Sequence, residues 1–455
     1  MIPVRGFDGR RVMVYGLNRP GLAAARALKA GGAQVSGWDE AVSRRERAQA
    51  QGVTVEDPTL RDWGDLAALT LGDPGVMDME ERPRILDLAV STGAPFMTGL
   101  DLFGAALDEA EGAVTAVIAG GSQAVAAASL TAWLLQDAGL DAHHGGPHAP
   151  PLDLPVPRRG SIYILACETR ELERTTWRGA DAALLLAGGQ GDNDVLMELM
   201  IRGAGPALAC VDDERMGRMF TRALRNAGGR REVEPVSGRQ VLTRGVYALG
   251  GELFDVFDGA ARRIACLEGT PALCGHSPAM IAGAAGLARR LGARAEDIER
   301  ALLAWPGAPG LHEPAGQAGR VTFVNHAAAA DIPDLLAALG GGAALYWITG
   351  GEAHAGVLEA LESAGVRPAG VYLADGSART VKKLKSLAPC SLSASLDEAV
   401  RRAVHDAAAR RGEPVRIVYA PLNPQRDCDA AADRREAFSS CVERLMALAF
   451  EGEAA

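Results

Sequence analysis

The sequence predicts an α/β protein of roughly three domains, each built on a largely parallel sheet, and three observations carry that reading. The chain has 455 residues, enough for about three domains of ordinary size. Twice a short apolar run passes through a glycine turn into an amphipathic or apolar helical pattern, at RVMVYG-LNRPG-LAAARALKAGG from residue 11 and at VTAVIAGGSQAVAAASLTAWLL from residue 114. Apolar runs of strand length then alternate with helical patterns to the C-terminus, the signature of strand-helix-strand units feeding parallel sheets.

The first segment, residues 1–112, opens with the strand RVMVYG, the turn LNRPG, a helix and the strand AQVSGWDE. Asp39 falls about 20 residues beyond the turn, where an acidic residue often meets a nucleotide ribose. The turn reads G-x-N-x-x-G, and Asn18 stands where a dinucleotide site needs its second glycine for close approach of a pyrophosphate. A nucleotide held at the helix N-terminus, by amide groups and the helix dipole, fits the turn better than NAD does. The strand LAALTL then ends in Asp73-Pro74-Gly75, and DLAVSTGAPFMTGLDLF gives a helix, a short strand and a further helix start. The candidate nucleotide site is therefore Gly16, Leu17, Asn18 and Arg19 with Asp39, Pro74 and Gly75.

The second segment, 113–310, takes strands from AVTAVIA, SIYILAC, ADAALLLAG and PALACV and helices from HSPAMIAGAAGLARRLG and AEDIERALLAW. The stretch HHGGPHAPPLDLPVPRRG reads as a proline-rich loop. The third segment, 311–455, carries strands in RVTFVNHA, ALYWITGG, AGVYLAD and VRIVYAP, with helices between them and a charged terminal helix. In the second segment, Ala119, Gly120, Gly121, Ser122, Gln123 and Ala124 have the outline of a phosphate-binding turn. A working turn of that kind adds a Lys for the β and γ phosphates and a Ser or Thr hydroxyl for magnesium. Gln123 and Ala124 supply neither.

Composition narrows the function classes. A net charge of -10 and a pI near 5.4 oppose general attraction to nucleic acid or anionic membranes, and the basic runs RRVMV, SRRER, GRRE and ARR are short. Residues 113–135 hold no charge, but Gly120 and Gly121 interrupt them and they are rich in Ala and Ser, so a buried strand and helix are expected rather than a membrane span. The N-terminus lacks the pattern of a secretory signal. Seven cysteines at 167, 210, 266, 274, 390, 428 and 441, with no C-x-x-C pair, suit reduced thiols in a cytoplasmic protein. His143, His144 and His148 lie close in sequence, but a Gly/Pro-rich loop without acidic or cysteine partners at ligand spacing is a poor metal site.

GLNRPGLAAARAL, Asp39, the DPGV turn, MTGLDLF, the glycine turn at 119–124, the AWPGAPGLHE joint, FVNHAAAADIPDLLAAL, WITGG, LDEAV and RREAF follow one another in an order that resembles the Mur ligase family, in particular its D-glutamate-adding branch. The resemblance spans nearly the whole chain and rests on collinearity, since no single string is specific. It implies a Rossmann-like UDP-binding domain at 1–112, a central P-loop-type ATPase domain at 113–310 and a Rossmann-like C-terminal domain at 311–455. It also implies a UDP-N-acetylmuramoyl-type substrate, ATP and Mg²⁺, and a cytoplasmic role in peptidoglycan synthesis through an acyl phosphate attacked by an amine.

Against that pattern the departures fall on chemistry. The family's glycine-threonine-asparagine-glycine-lysine-Ser/Thr turn is Ala119 to Ala124 here. Its magnesium-binding Glu and Ser-Ser pair become Ala166, Cys167, Glu168 and Thr169, and moving a ligand from 166 to 168 shifts it by about 6 to 7 Å along a strand. The family's Asn, Asp and His beyond ALLLAG become Ala187, Gly191 and Asp192. No lysine in NDVLMELMIRG can be carbamylated, and Arg202 stays protonated. His276 survives from a His-Asn motif and is expected to be a packing histidine. Asn325 persists, while Asp-Ser-Lys after it becomes His326, Ala327 and Ala328, and Ala353 and His354 occupy the stretch where the WITGG region should supply a lysine. The expectation is a homologue whose ligation is lost or strongly weakened, with no catalytic residue assigned, ATP and Mg²⁺ bound weakly or not at all, and a residual role in UDP-sugar binding, regulation or scaffolding beside an active cell-wall enzyme. Two alternatives are an active ligase using displaced residues such as Glu168 and Asp194, and a nucleotide-dependent oxidoreductase, which Asn18 and the lack of a proton-transfer pair disfavour.

Overall fold

A computed structural model describes every residue except 61–62, 79–82, 108–111, 188–193, 229–230, 271, 274, 330–331, 341–343, 353–355, 411, 423–427 and 454–455, and omits the side chains of 122, 227, 428–429 and 448–453. Gly191, Asp192, Ala353 and His354 therefore lie outside the described residues, as does the side chain of Ser122. The chain forms two compact units, one of Met1–Leu273 with Ser277–Trp305 and one of Cys274–His276 with Pro306–Ala455. Among the described residues there are three sheets, and each falls within one of the segments 1–112, 113–310 and 311–455.

In the first unit, five parallel strands lie in the spatial order Thr54–Val55, Gln34–Trp38, Arg11–Tyr15, Leu66–Leu71 and Phe96–Met97. The chain leaves Arg11–Tyr15 toward one side and later returns on the other, so the strand order reverses beside Arg11–Tyr15. Ligands of open α/β sheets bind at such a reversal, outside the carboxyl ends of the strands. Helix Arg19–Ala30 begins with Pro20 in its first turn and buries Leu22, Ala23, Ala24, Ala25, Ala27 and Leu28, a face wide enough to close the sheet on that side.

A second sheet of nine strands carries the glycine turn. Val114–Ala119 lies between Ile162–Cys167 and Ala182–Leu185, parallel to both. All six residues of Ile162–Cys167 are buried, as expected of a central parallel strand covered on both faces. Helices Ser122–Asp137 and Pro278–Arg290 pack together on this sheet. Gly286 is required there, because a Cβ at that position would lie 2.8 Å from Leu208 Cδ2.

The sequence reading missed four strands of this sheet. Val233–Ser237, Val246–Leu249, Glu252–Asp255 and Arg262–Cys266 extend it, the last three as an antiparallel meander. A further correction concerns Ala142–Gly145, which is an edge strand rather than loop. His143 and His144 therefore point to opposite faces, and His143 Nε2 pairs with Asp141 Oδ1 at 2.9 Å, an acidic partner that the sequence reading did not anticipate.

Among the described residues the second unit holds six strands in the order Glu313–Ala318, Val321–Asn325, Val415–Tyr419, Ala344–Thr349, Gly370–Leu373 and Cys390–Leu392, all parallel except the first. Trp347 is fully buried at its centre and donates Nε1–H to Ala420 O at 3.0 Å. Among the described residues no helix is long and apolar enough to cross a membrane, and Cys167, Cys210, Cys266, Cys390 and Cys441 are free thiols.

Candidate functional site

The carboxyl end of the first sheet gathers the predicted residues. Gly16 takes φ +86°, and its turn abuts Gly72, where a Cβ would lie 2.1 Å from Gly16 O and 2.7 Å from Asn18 Oδ1. Asn18 locks the two turns together: its Oδ1 accepts from Gly21 N at 3.1 Å and its Nδ2 donates to Gly72 O at 3.3 Å. The side chain that departs from a dinucleotide fingerprint is thus the N-cap of the first helix. It also engages the helix's donors, since Gly21 N goes to Oδ1, Leu22 N to Asn18 O at 2.8 Å, and Pro20 has no N–H.

Asp39 is buried and joins the end of its strand to the same turn. Its Oδ2 accepts from Leu17 N at 2.7 Å and its Oδ1 from Ala41 N at 2.8 Å, with Arg44 at 3.6 Å. The residue read as a ribose acceptor is first of all a loop clamp. Pro74 and Gly75 follow on a short 3-10 turn, with Gly75 N donating to Asp73 Oδ1 at 2.7 Å. A Cβ on Gly75 would stand 3.6 Å from an Arg170 guanidinium nitrogen. Exposed Arg19 reaches His148 O at 3.4 Å. Arg170 and Gly72 were not among the expected site residues; the Gly-Asp-Pro-Gly run pointed to the turn but not to what faces it.

The glycine turn of the second sheet also sits where strand order reverses. Gly120 has φ +150°, and a Cβ there would fall 2.7 Å from Leu186 Cβ and 3.1 Å from Ala187 N. Gly121 follows at φ +64° with open space around it. Ala119 and Ala124 are buried. Gln123 Oε1 accepts the hydroxyl hydrogen of Ser277 at 2.7 Å, and Ser277 Oγ accepts from Met280 N at 3.1 Å as the N-cap of Pro278–Arg290. The Gln123 side chain therefore ties the start of one helix to the cap of the other.

On the neighbouring strand Ala166 and Cys167 are buried, and burial pushes the Cys167 thiol up. Glu168 is the N-cap residue of helix Thr169–Arg174. Glu171 is half-buried; burial, then the Glu168 charge, raises its carboxyl to about 7. Asp194 is exposed at the start of helix Asp194–Ile201. Among the described residues no group of three or more His, Cys, Asp or Glu is placed to hold a metal ion.

In the second unit His276, His312 and His326 form an edge-to-face stack with ring centroids 5.3 and 4.5 Å apart. His326 Nδ1 accepts from His312 N at 3.0 Å, and His312 is the one non-glycine with positive φ among the described residues, at 51°. Burial lowers His276 to about 4, His312 to about 2 and His326 to about 3. All three are neutral at pH 7, consistent with the expected packing role of His276. Asn325 donates Nδ2–H to Arg435 O at 2.9 Å and to Ser439 Oγ at 3.1 Å, so it braces the last helix.

Over 465 residues the chain is 33% identical to the UDP-N-acetylmuramoylalanine–D-glutamate ligase of Phenylobacterium zucineum, a match covering 98% of each protein. The chain belongs to the Mur ligase family. A protein of the same name from Agrobacterium fabrum is 30% identical over 424 residues, 90% of this chain and 89% of that one. No family model matches the chain. Two solved Mur ligases share its fold: the UDP-N-acetylmuramate-alanine ligase of Thermotoga maritima, with TM-score 0.57 at 14% identity over 96% of this chain and 99% of that one, and the MurF ligase of the same organism in complex with ADP, with TM-score 0.51 at 14% identity over 98% and 97%. The α/β architecture expected from the sequence is thereby borne out.

Proposed function

We propose that this Mur ligase homologue has lost, or retains only weakly, the ATP-dependent joining of D-glutamate to UDP-N-acetylmuramoyl-L-alanine, and acts as a UDP-sugar-binding regulatory or scaffold protein of cytoplasmic peptidoglycan synthesis. The three-domain division at residues 112 and 310 belongs to the same proposal. The observation that carries it is the pairing of Gln123 with Ser277 beside buried Ala124. Magnesium and a triphosphate require a cation and a hydroxyl at those two positions, and the donor set does not fit them. Making an acyl phosphate brings a carboxylate against that triphosphate, and removing even one preorganised group costs about a hundredfold to a thousandfold in rate.

Supporting residual nucleotide-sugar binding, the crevice of the first sheet keeps a rigid turn with Arg19 and Arg170 nearby. An active cell-wall enzyme is the protein partner this reading calls for. The test is phosphate release dependent on both UDP-N-acetylmuramoyl-L-alanine and D-glutamate, with wild type and a Gln123→Lys, Ala124→Thr double variant. Neither should turn over, because positions 166, 327 and 328 remain altered and such groups act as a unit. Coupled turnover by either protein refutes the reading and favours an active ligase using displaced carboxylates such as Glu168 and Asp194. Calorimetry provides the second arm: UDP-N-acetylmuramoyl-L-alanine binds wild type, and Arg19→Ala weakens it about fivefold or more, as expected for loss of a charge-assisted contact.

A further inference from the structure

Helix Glu214–Ala227 carries arginines at 215, 218, 222 and 225, spacings of three, four and three that confine them to an arc of roughly 80° along about 15 Å of helix. The neighbouring face, beginning about 40° from Arg215, is already used, since Met216, Met219 and Ala223 are buried against the second sheet. Arg218, Arg222 and Arg225 are exposed. Arg218 pairs with Glu214 at 2.5 Å, whose side chain is 88% exposed. Arg222 and Arg225 have no hydrogen-bond or ion-pair partner among the described residues.

From this ridge we infer a docking strip for an acidic helix of a partner protein, with carboxylates spaced at three and four residues. Two features favour a helix over a lipid surface or a nucleic acid. The cations form a line one arginine wide, and the adjacent helix Asp194–Ile201 presents Asp194 and Glu198, the latter already paired with Arg178 and Arg202. A membrane needs a plane of positive charge and an extended nucleic acid a long track of it, and a single line of four arginines flanked by acidic residues supplies neither. A second helix repeats its side chains at the same pitch as the ridge, so its carboxylates match the guanidinium spacing along the whole contact. Exposed pairs of this kind are individually weak, so the contact is reversible and salt-sensitive.

The experiment titrates the full-length protein into two fluorescent helical peptides of identical composition. One has four glutamates on a single face at three-four-three spacing, and the other has them distributed around the helix. The matched peptide binds about fivefold tighter or more, and raising salt from about 20 to about 200 mM removes most of that binding. Arg222→Glu with Arg225→Glu abolishes the preference, and Arg222→Gln with Arg225→Gln reduces it, both at unchanged melting temperature. Should the reversal variant melt early, the glutamine pair decides. Equal binding of the two peptides overturns the inference. So does a preference that survives both variants, tighter binding to vesicles of phosphatidylglycerol in phosphatidylcholine, or arginine-dependent self-association in place of peptide binding.

Discussion

Replacing Asp101 should loosen the first unit more than any single change at its surface. Six donors converge on this buried carboxylate: the Thr98 amide and hydroxyl on Oδ2, each at 2.8 Å, and on Oδ1 the Thr175 hydroxyl at 2.7 Å, the Thr176 amide and hydroxyl at 2.7 and 2.8 Å, and the Trp177 amide at 3.0 Å. Hydroxyls can rotate toward other acceptors, but the three amides are fixed. In Asp101→Ala each loses its acceptor at about 1 to 3 kcal/mol, and water reaches part of the cluster, so the expected loss is about 3 to 5 kcal/mol. Asp101→Asn keeps the volume and one oxygen but turns an NH₂ group toward donors, for about 2 to 3 kcal/mol.

The pH dependence has a definite sign. Burial raises the Asp101 carboxyl, but hydrogen bonds from Thr98, Thr175 and Thr176 outweigh it and the net shift is downward from 3.8. A lowered carboxylate stabilises the fold above its unfolded value, and that contribution fades as pH falls through the folded value. Urea unfolding of wild type and both variants at pH 7, and at steps down to about pH 3, reads this directly as a shift in midpoint at constant slope. A loss below about 1 kcal/mol for Asp101→Ala at pH 7 refutes the argument, as does a difference between wild type and Asp101→Asn that stays constant down to pH 3.

Three further outcomes follow from the same geometry. Glu171, raised to about 7 chiefly by burial and then by Glu168, loses stability for the fold as pH rises from 4.5 through 7, so Glu171→Gln should be more stable than wild type at pH 8 by on the order of 1 to 3 kcal/mol and equal to it near pH 4.5 in thermal melts. Depressed below 6.5 by burial, His276, His312 and His326 make the second unit lose stability as pH falls below 6.5, at up to about 1.4 kcal/mol per pH unit for each histidine; His312→Asn, which tolerates the positive φ, should flatten that slope in pH-dependent unfolding. A Cβ at Gly31 would stand 1.8 Å from Val4 O, so Gly31→Ala should cost about 1 to 3 kcal/mol in denaturant and free the N-terminal residues to hydrogen exchange.

Where local chemistry dictates the backbone, the sequence was informative. Gly16, Gly120 and Gly121 mark the two turns because each takes a positive φ, and the runs before them are apolar because their strands are covered by helices. The strand Val233–Ser237 and the meander from Val246 to Cys266 escaped notice because these strands are short and separated by glycines and charges, so neither alternation nor a continuous apolar run marks them. Glu313–Ala318, read as EPAGQA, has no strand pattern and is held by main-chain pairing to Val321–Asn325. Residues gathered from afar were equally hidden: nothing in MTGLDLF reveals that Asp101 meets donors 74 to 76 residues away, and the arginines of Glu214–Ala227 are too dispersed in sequence to read as a charge run.

The glycine turn combines both kinds of information. Gly120 and Gly121 preserve a backbone shape that any phosphate turn would need, and close approach to Leu186 and Ala187 demands a residue without a side chain at 120 whether or not a phosphate ever binds. The glycines alone therefore cannot distinguish a working turn from a retained scaffold. Gln123 adds a second observation, because its amide oxygen accepts from Ser277, and the proposed loss of nucleotide binding rests on it. A lysine at 123 could still receive a hydrogen bond from nothing and could donate only through its ammonium, so it would exchange a helix-to-helix tie for a charge aimed at the turn. On the proposal that ATP binding has been lost, the sequence shows a missing cation at 123 and the fold shows the hydrogen bond to Ser277 in its place.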